Sequence, residues 1–285
     1  MVNPGADVQI LAARLIDVIR AYGSVAVALS GGVDSAVVAQ AAQQALGTKA
    51  VAVTAISPSL AEVERRDAVA IAEKIGIRHI ELLTSEFARP EYRANAGDRC
   101  FYCKDSLYSL TADRLAELGV DVMANGANTD DLSDHRPGMQ AAERYGVRSP
   151  LIEAELSKAD VRQLARFWQL PLAEKPASPC LSSRIAYGVE VTEERVKRVE
   201  AAEMFLRHRC GQTDFRVRLE ASELARIEVA PNLLSLFTEE DFRSELIEYF
   251  RDLGFRRVTL DLEGFRSGSM NDQLPIVQLG TATDE

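Results

Sequence analysis

The stretch Val25–Leu29, followed by Ser30-Gly31-Gly32-Val33-Asp34-Ser35, decides the fold of this chain. Val25–Leu29 is a short apolar run rich in valine, which predicts a buried strand. The next six residues predict a glycine-rich turn, and the alanine-rich residues Ser35–Leu46 predict a helix. Glycine lets the backbone approach a phosphate group closely, and main-chain amides at the start of a helix attract anions. The order of strand, turn and helix therefore predicts a phosphate-binding loop.

Side chains of the same loop add to this prediction. Ser30 and Ser35 offer hydroxyl donors, and Asp34 is placed to hold a magnesium ion on the phosphates. The string lacks Gly-Lys-Ser/Thr, so it is not a Walker A loop. A turn that uses glycine for its geometry alone is the alternative interpretation.

Helical and strand patterns alternate on both sides of this loop. This alternation predicts βαβ units with right-handed crossovers and a parallel sheet covered on both faces. The predicted helices are Val8–Ala21, Ser35–Leu46, Ala61–Ile75, Tyr102–Leu118 and Lys158–Trp168. The predicted strands are Val25–Leu29, Lys49–Ile56, Arg78–Leu83 and Val120–Ala124.

The pattern changes after three prolines, Pro171, Pro176 and Pro179. We therefore expect an α/β domain over residues 1–185 and a small α+β domain over residues 186–285, with a role in substrate binding or oligomerisation. The predicted elements of the second domain are a helix at Glu193–Arg209, strands at Phe215–Glu220 and Leu224–Val229, a helix at Thr238–Leu253 and a strand at Arg256–Leu262.

Composition excludes several classes of protein. The chain has 285 residues, of which 47% are apolar and 27% charged, as in an ordinary globular protein. Its apolar runs are too short to cross a bilayer, and the first residues show no secretory signal, so we expect a cytoplasmic protein. The net charge of −10 disfavours a nucleic-acid partner.

The Ser30–Ser35 string resembles the signature of the PP-loop ATP pyrophosphatase superfamily. The resemblance implies cleavage of ATP between the α and β phosphates, transfer of AMP to an oxygen of the acceptor, and release of pyrophosphate. It also implies that Thr54, at the end of a strand, lies where adenine is recognised. Gly126, Asn128 and Asp131 follow a later predicted strand at the same edge of the sheet, where ligands bind in open α/β folds. A polar turn with an Asx cap is the alternative for this loop.

Arg136 is a candidate for stabilising negative charge, and a solvated arginine is the competing interpretation.

Three of the four cysteines form a pattern. Cys100 and Cys103 are separated by two residues, and Cys180 follows in the string Pro179-Cys180-Leu181-Ser182-Ser183-Arg184. In a chain expected to be cytoplasmic, metal binding or catalysis is considered before a disulfide. Cys210 precedes a glycine at a predicted helix end and is not expected to be a ligand.

Several strings in order resemble the LarE-type ATP-dependent sulfur transferases of nickel-pincer nucleotide biosynthesis, which serves lactate racemase. They are Ser30–Ser35, Arg99–Lys104, Pro179–Ile185, Phe215–Arg218 and Ala225–Glu228. The resemblance extends to about Gly268. It implies that ATP activates a carboxylate of pyridinium-3,5-biscarboxylate mononucleotide and that sulfur then replaces AMP to give a thiocarboxylate. It further implies a homo-oligomer and contact with other proteins of this biosynthesis.

The same resemblance suggests residues that contact the substrate. Arg216 and Arg218 alternate on one face of a strand, where they could grip a phosphate, and Ser183 and Arg184 could contact the same ligand. A solvated strand face is the alternative for the arginine pair. Three acidic residues are weaker candidates carried over from the family, namely Glu200, Glu203 and Glu228.

The source of the sulfur stays open. Cys180 matches the cysteine that gives up its own sulfur in part of the family. The additional Cys100 and Cys103 resemble members in which three cysteines hold a [4Fe-4S] cluster with a renewable sulfide. A structural zinc site or a redox pair is a further alternative.

Two other functions use the same residues. A tRNA-thiolating PP-loop enzyme would also need ATP and three cysteines, although the chain lacks a basic RNA-binding extension. A non-catalytic nucleotide-binding module would need only the phosphate loop.

Overall fold

The computed structural model describes residues 4–133, 137–175, 179–211 and 215–266. The chain divides into two compact units. The first contains Met1–Tyr92 and Asp98–Cys180, and the second contains Arg93–Gly97 and Leu181–Glu285. The division falls a few residues before the boundary predicted from the sequence, and a short segment from the first half of the chain joins the second unit.

The first unit is built on four short strands. They are β1 (Val25–Ala28), β2 (Ala50–Ile56), β3 (Arg78–Leu83) and β4 (Val122–Ala124). The helices are α1 (Pro4–Arg20), α2 (Val33–Leu46), α3 (Glu62–Ile75), α4 (Pro90–Ala94, which continues into the second unit), α5 (Arg99–Ala112), α6 (Leu115–Leu118), α7 (Pro137–Arg144), α8 (Pro150–Glu153) and α9 (Lys158–Phe167).

The strands pair in the order β3-β2-β1-β4, and every pair is parallel. The predicted parallel α/β fold is therefore confirmed. Ala28 of β1 pairs with Val53 of β2, and Val27 pairs with Ala124 of β4. Because the strands are parallel, the loops that follow β1 and β4 emerge at the same edge of the sheet as the end of β2.

Two apolar cores cover the two faces of this sheet. One contains residues of α1, α2, α3 and α9, including the fully buried Leu15, Val37 and Leu164. The other contains residues of α5, α6 and α7 with the opposite faces of the strands, including Leu107 and Met123. Residues on alternate sides of β1 thus enter different cores, which explains why the strand reads as a continuous apolar run.

The segment predicted as one helix from Tyr102 to Leu118 is two helices. α5 begins at Arg99, so both Cys100 and Cys103 lie in its first turn and a half. It ends at Ala112, a turn at Asp113 and Arg114 follows, and α6 ends at Gly119, which adopts the left-handed conformation. The apolar period continues through the break, which is why the sequence pattern did not reveal it.

The second unit contains α10 (Glu193–Cys210), β5 (Phe215–Glu220), β6 (Leu224–Val229), α11 (Glu240–Asp252) and β7 (Arg257–Leu260). β5 pairs with β6 in antiparallel orientation, and β6 pairs with β7 in parallel. The predicted helix–strand–strand–helix–strand order is confirmed. Cys210 ends α10 before Gly211, as expected.

Within the described ranges, no helix has both the length and the apolar character needed to cross a bilayer.

Asn95 attaches the short segment Arg93–Gly97 to the rest of the second unit. Its fully buried side-chain amide donates to the carbonyl oxygens of Ile185 at 3.2 Å, Ala186 at 2.8 Å and Val189 at 3.2 Å. Its backbone has a φ of 54°, which asparagine tolerates better than most residues.

We predict that Asn95→Gly lowers the free energy of unfolding by about 1–3 kcal/mol, because buried carbonyls lose their donor. Glycine accepts the positive φ, so this variant isolates the loss of the amide. Asn95→Ala should cost about 1 kcal/mol more, because alanine is strained in the left-handed backbone conformation. Urea denaturation of both variants measures the difference. A glycine variant as stable as the unchanged protein would contradict the prediction.

Candidate active site

The loop Ser30–Ser35 joins β1 to α2 at the carboxyl edge of the parallel sheet. α2 begins at Val33 with Gly32 as its N-cap, and no side chain caps it. Amides in the first turn of such a helix have no acceptor within the helix. Ser35 Oγ donates to Gly32 O at 2.9 Å and accepts from Ser30 N at 3.2 Å, so the loop closes on itself. The uncapped helix start is suited to an anionic ligand.

Two glycines in this region are required by close approach. Gly31 has a φ of +75°, and a Cβ there would stand 2.8 Å from the main-chain oxygen of Glu64. Gly126, in the loop after β4, lies so close to α2 that a Cβ would stand 2.8 Å from Ser35 N. Any larger residue would displace backbone at the phosphate loop. Close approach is therefore the geometric reason for the first glycine of the sequence motif, Gly31.

Asp34 is held from both sides. Asn128 Nδ2 donates to Asp34 Oδ1 at 3.2 Å, and Lys158 Nζ lies 2.5 Å from Asp34 Oδ2. The Asp34 side chain keeps 24% of its surface exposed and the Lys158 side chain 35%. The sequence placed Asp34 and Asn128 in the site, and the structure brings them together. The sequence analysis did not single out Lys158, which is the first residue of α9.

Lys175 is a second cation at the loop that the sequence did not reveal. Its Nζ donates to Gly31 O at 3.2 Å, to Glu64 Oε2 at 2.6 Å and to Asp67 Oδ2 at 2.7 Å. Glu64 and Asp67 both belong to α3. Lys175 therefore offsets one of the two negative charges of Glu64 and Asp67 and links both carboxylates to the backbone of the loop.

The loop after β4 is stabilised by its own polar side chains. Asp131 Oδ2 accepts from Asn128 N at 3.1 Å, and Asn128 Oδ1 accepts from Asp130 N at 3.0 Å. Asp130 Oδ2 also accepts from Lys158 N at 3.3 Å. These Asx-type contacts fix the position of Asn128 and of the start of α9 relative to Asp34.

Thr54 lies buried at the carboxyl end of β2, beside the phosphate loop. Its hydroxyl donates to Leu29 O at 2.8 Å and lies 2.8 Å from His79 Nε2. A threonine hydroxyl has a single hydrogen, so His79 Nε2 must be the donor in the second contact. Burial lowers the pKa of His79. The Thr54 hydroxyl is thus engaged within the sheet.

Cys100, Cys103 and Cys180 all belong to the first unit and act on one another. Burial raises the pKa of Cys103 to about 12, and Glu86 and then Cys180 contribute to the rise. The pKa of Cys100 is also raised, chiefly by burial and to a smaller extent by the negative charge of the Cys180 thiolate. All four cysteines lie in the described ranges, and none forms a disulfide.

The described residues contain no group of three or more His, Cys, Asp or Glu side chains at metal-binding distances. The three cysteines therefore share a neighbourhood in this structure without forming a ready-made ligand set.

The second unit contains a buried cluster of arginines, namely Arg184, Arg216 and Arg218. Arg184 Nε donates to Glu203 Oε1 at 3.0 Å, and Arg218 Nη2 donates to Glu228 Oε2 at 2.9 Å. Ser183 contacts both arginines, because its carbonyl accepts from Arg218 at 3.2 Å and its hydroxyl from Arg184 at 3.3 Å. The four substrate residues proposed from the sequence, Ser183, Arg184, Arg216 and Arg218, thus belong to one cluster.

Arg216 is a buried member of this cluster. The pKa of Arg216 is lowered to about 10, chiefly by burial and also by the like charges of Arg184 and Arg218, while Glu203 and Glu228 act in the opposite direction. Its guanidinium lies 4.8 Å from the centre of the Phe265 ring and donates to Phe215 O at 2.7 Å. Two of the weaker acidic candidates, Glu203 and Glu228, are the ionic partners of arginines here. A cluster that destabilises a cation is suited to an anionic ligand.

Of the remaining predicted residues, Arg136 lies outside the described residues. The sequence analysis did not single out Lys158 or Lys175. One indirect signal existed for Lys158, because Ser157 and Asp160 form a capping box that fixes the start of α9.

Comparison with known proteins supports this description. The family model for NAD synthase matches residues 9–92, which contain the phosphate loop. An uncharacterised protein of Synechocystis is 48% identical over 86% of this chain and 91% of its own length.

The pyridinium-3,5-bisthiocarboxylic acid mononucleotide synthase of Lactiplantibacillus plantarum is 37% identical over 94% of this chain and 96% of its own length. An uncharacterised protein of Methanocaldococcus jannaschii is 28% identical over 85% of this chain and 90% of its own length. The uncapped phosphate loop, the parallel sheet and a relative of this identity over nearly the whole chain lead to one conclusion: the chain belongs to the LarE-type family of ATP-using PP-loop enzymes.

Proposed function

We propose that the protein is an ATP-dependent sulfur transferase that adenylylates a carboxylate of pyridinium-3,5-biscarboxylate mononucleotide and then replaces AMP with sulfur. The product is a thiocarboxylate, as the name of the Lactiplantibacillus relative indicates for that enzyme. The observation that carries the proposal is the start of α2, which has no side-chain cap and has Asp34 in its first turn. The chain is also similar to that relative over 94% of its length.

The first step is a displacement at the α phosphorus of ATP. An oxygen of the substrate carboxylate forms a bond to this phosphorus, and the bond to the bridging oxygen of the β phosphate breaks. Pyrophosphate leaves with the electron pair. The amides at the start of α2 are suited to the charge that develops on the leaving group, because they are fixed before the reaction begins. Asp34 would hold the magnesium ion on the phosphates, and its carboxylate is a fitting ligand for that ion.

The second step is an acyl transfer. A sulfur nucleophile attacks the carbonyl carbon of the mixed anhydride, and the bond from this carbon to the AMP oxygen breaks. AMP is a good leaving group, whereas a free carboxylate has none. This need for activation is the chemical reason for coupling ATP cleavage to sulfur transfer.

The substrate carries a phosphate and two carboxylates on a cationic ring. The arginine cluster of the second unit fits these anions, since guanidinium groups bind phosphate through two parallel hydrogen bonds. Ser183 adds a hydroxyl beside Arg184. We assign recognition of the substrate to Ser183, Arg184, Arg216 and Arg218.

We assign a [4Fe-4S] cluster to three cysteines of the first unit on the chemistry of their thiols, and not on a preformed ligand set among the described residues. Cluster iron is bound by cysteine thiolates, and Cys100, Cys103 and Cys180 influence one another's pKa within one unit. When bound through three cysteines, a cluster supplies an iron with one position for a sulfide that can be renewed. Lys104 and Arg99 lie near enough to oppose the rise in the pKa of Cys100, and such cations favour thiolates. Cys180 as a sacrificial donor is the alternative within the same proposal.

We predict that the protein forms one pyrophosphate and one AMP for each ATP consumed when the pyridinium substrate and sulfide are present. Asp34→Asn should lower the rate of pyrophosphate release by about 100-fold or more. The reason is that the magnesium ion on the leaving group would lose its carboxylate ligand. Product analysis by phosphorus NMR and mass spectrometry measures both. ADP and orthophosphate as products would refute the proposal, and tRNA thiolation in a parallel assay would favour the rival enzyme class.

We predict that Cys100→Ala abolishes iron binding and repeated turnover, because two cysteines cannot retain the cluster. Iron and sulfide analysis after anaerobic purification, with intact mass before and after turnover, provides the measurement. Cys210→Ala is the matched control and should retain both properties. Loss of one H₂S from the mass of the unchanged protein would instead indicate that Cys180 is sacrificed. If Cys100→Ala retained iron and turnover, the cluster hypothesis would be wrong.

We predict that Arg216→Met weakens binding of the pyridinium mononucleotide by about 10- to 100-fold, the loss expected for a hydrogen bond between charged groups. The same change should not lower the melting temperature, because it removes a buried charge repelled by Arg184 and Arg218. Calorimetric titration and thermal unfolding measure the two effects. Arg257→Met, at an exposed position of β7 in the same unit, should leave binding unchanged. A variant that unfolds earlier but binds normally would show a structural role for Arg216.

A further inference from the structure

An aromatic ring lies on one arginine of the buried cluster in the second unit. The guanidinium carbon of Arg216 is 4.8 Å from the centre of the Phe265 ring, a distance at which a cation is attracted to the negative face of an aromatic ring. Arg216 is only 9% exposed, whereas Phe265 is half-buried. The ring therefore contacts a buried cation and keeps part of its own surface in solvent.

Main-chain contacts fix the position of Phe265. Its backbone N donates to Val229 O, at the end of β6, at 2.9 Å. Gly264 has a φ of +77°, and a Cβ there would stand 2.7 Å from the same Val229 oxygen. Gly264 N also donates to Asp261 O at 3.2 Å. A tight turn that needs its glycine therefore holds Phe265 at the end of the strand.

The same turn is connected to the arginine cluster by side chains. Asp261 Oδ2 accepts from Arg226 Nη1 at 2.8 Å, and the same nitrogen of Arg226 donates to Glu228 Oε1 at 2.7 Å. The other oxygen of Glu228 accepts from Arg218 at 2.9 Å. One hydrogen-bonded network thus joins the turn before Phe265 to the cluster, so the ring and the guanidinium groups form a single arrangement.

The proposed substrate carries charges of both signs, which this arrangement fits. Its phosphate and carboxylates suit arginines, but the pyridinium ring is positive and like charges repel it. The three arginines and their partners Glu203 and Glu228 carry a formal net charge of +1. An aromatic face offers a flat apolar surface with a negative quadrupole, which is what a cationic ring needs beside such a cluster.

We infer that Phe265 binds the pyridinium ring of the substrate by stacking on it, and that it selects a cationic aromatic ring over a neutral one. This inference rests on the proposed function, in which the arginine cluster binds the anionic groups of the same molecule. Phe265 is a binding and specificity residue in this assignment, with no part in adenylylation or sulfur transfer. An aliphatic side chain in its place would still cover Arg216 but would not attract a cation.

The test is calorimetric titration with AMP and magnesium present to occupy the nucleotide site. The probes are nicotinic acid mononucleotide, its reduced form, whose ring is neutral, and ribose 5-phosphate, which has no ring. We expect Phe265→Leu to weaken binding of nicotinic acid mononucleotide by about 3- to 30-fold, the range of a cation–π contact. The reduced form should lose less, and binding of ribose 5-phosphate should change by less than about twofold.

Two further variants separate a ring contact from misfolding. Phe265→Trp supplies the strongest cation–π partner and should retain or raise the affinity for nicotinic acid mononucleotide. The chain has a single tryptophan, so in a Trp168→Phe background the introduced indole is a specific reporter. The pyridinium ring, an electron acceptor, should quench its fluorescence on contact, and ribose 5-phosphate should not. Tyr249→Leu, in α11 of the same unit, removes an aromatic ring that stacks on Phe205 and should alter none of the affinities.

The possible outcomes are distinct. Equal losses for nicotinic acid mononucleotide and ribose 5-phosphate in Phe265→Leu would overturn the inference, because they would show that the ring only holds Arg216 in place. An unchanged affinity for nicotinic acid mononucleotide would overturn it as well. If the unchanged protein bound none of the three probes better than its Arg216→Met variant, the arginine cluster would not be the substrate site. The proposed substrate recognition would then fail, and the role of Phe265 with it.

Discussion

The start of α2 is the constraint on which the site depends. A helix that begins without a side-chain cap leaves its first amides without acceptors, and an anion is the natural partner for them. The loop can adopt this geometry because two glycines leave room for close backbone contacts. Gly31 lies against the main-chain oxygen of Glu64 in α3, and Gly126 lies against the main-chain nitrogen of Ser35 in α2. The parallel register brings the ends of β1 and β4 to one edge, and the remaining polar groups are arranged around it.

The carboxylates around a phosphate-binding loop also need partners of their own. Asp34, the metal ligand in the proposed reaction, lies in the first turn of α2, where its negative charge would repel phosphates. Lys158 and Asn128 satisfy its carboxylate, while Lys175 does the same for the carboxylates of α3. These contacts offset two of the three negative charges that Asp34, Glu64 and Asp67 carry.

The sequence predicted the features of the fold and site that depend on neighbouring residues, and it missed those that depend on residues far apart in the chain. The strand–loop–helix order, the alternation of elements and the bounds of the strands Phe215–Glu220 and Leu224–Val229 follow from local periodicity, and the structure confirms them. The break in the predicted helix after Ala112 was missed, because the apolar period continues across it. Lys158 and Lys175 were missed for a different reason. Their partners lie more than 100 residues away in the chain, and no local pattern encodes such a contact.

The two proposed anion sites differ in a way that suits the proposed reaction. Pyrophosphate would bind while charge develops and then leave, which favours the weakly directional main-chain amides at the start of α2. The proposed substrate would stay bound through adenylylation and sulfur transfer, which favours rigid guanidinium groups already aligned by Glu203 and Glu228. Burial makes Arg216 costly to keep charged, and a bound anion would offset that cost. The proposed chemistry, with two successive leaving groups, would therefore account for main-chain amides at one proposed anion site and buried arginines at the other.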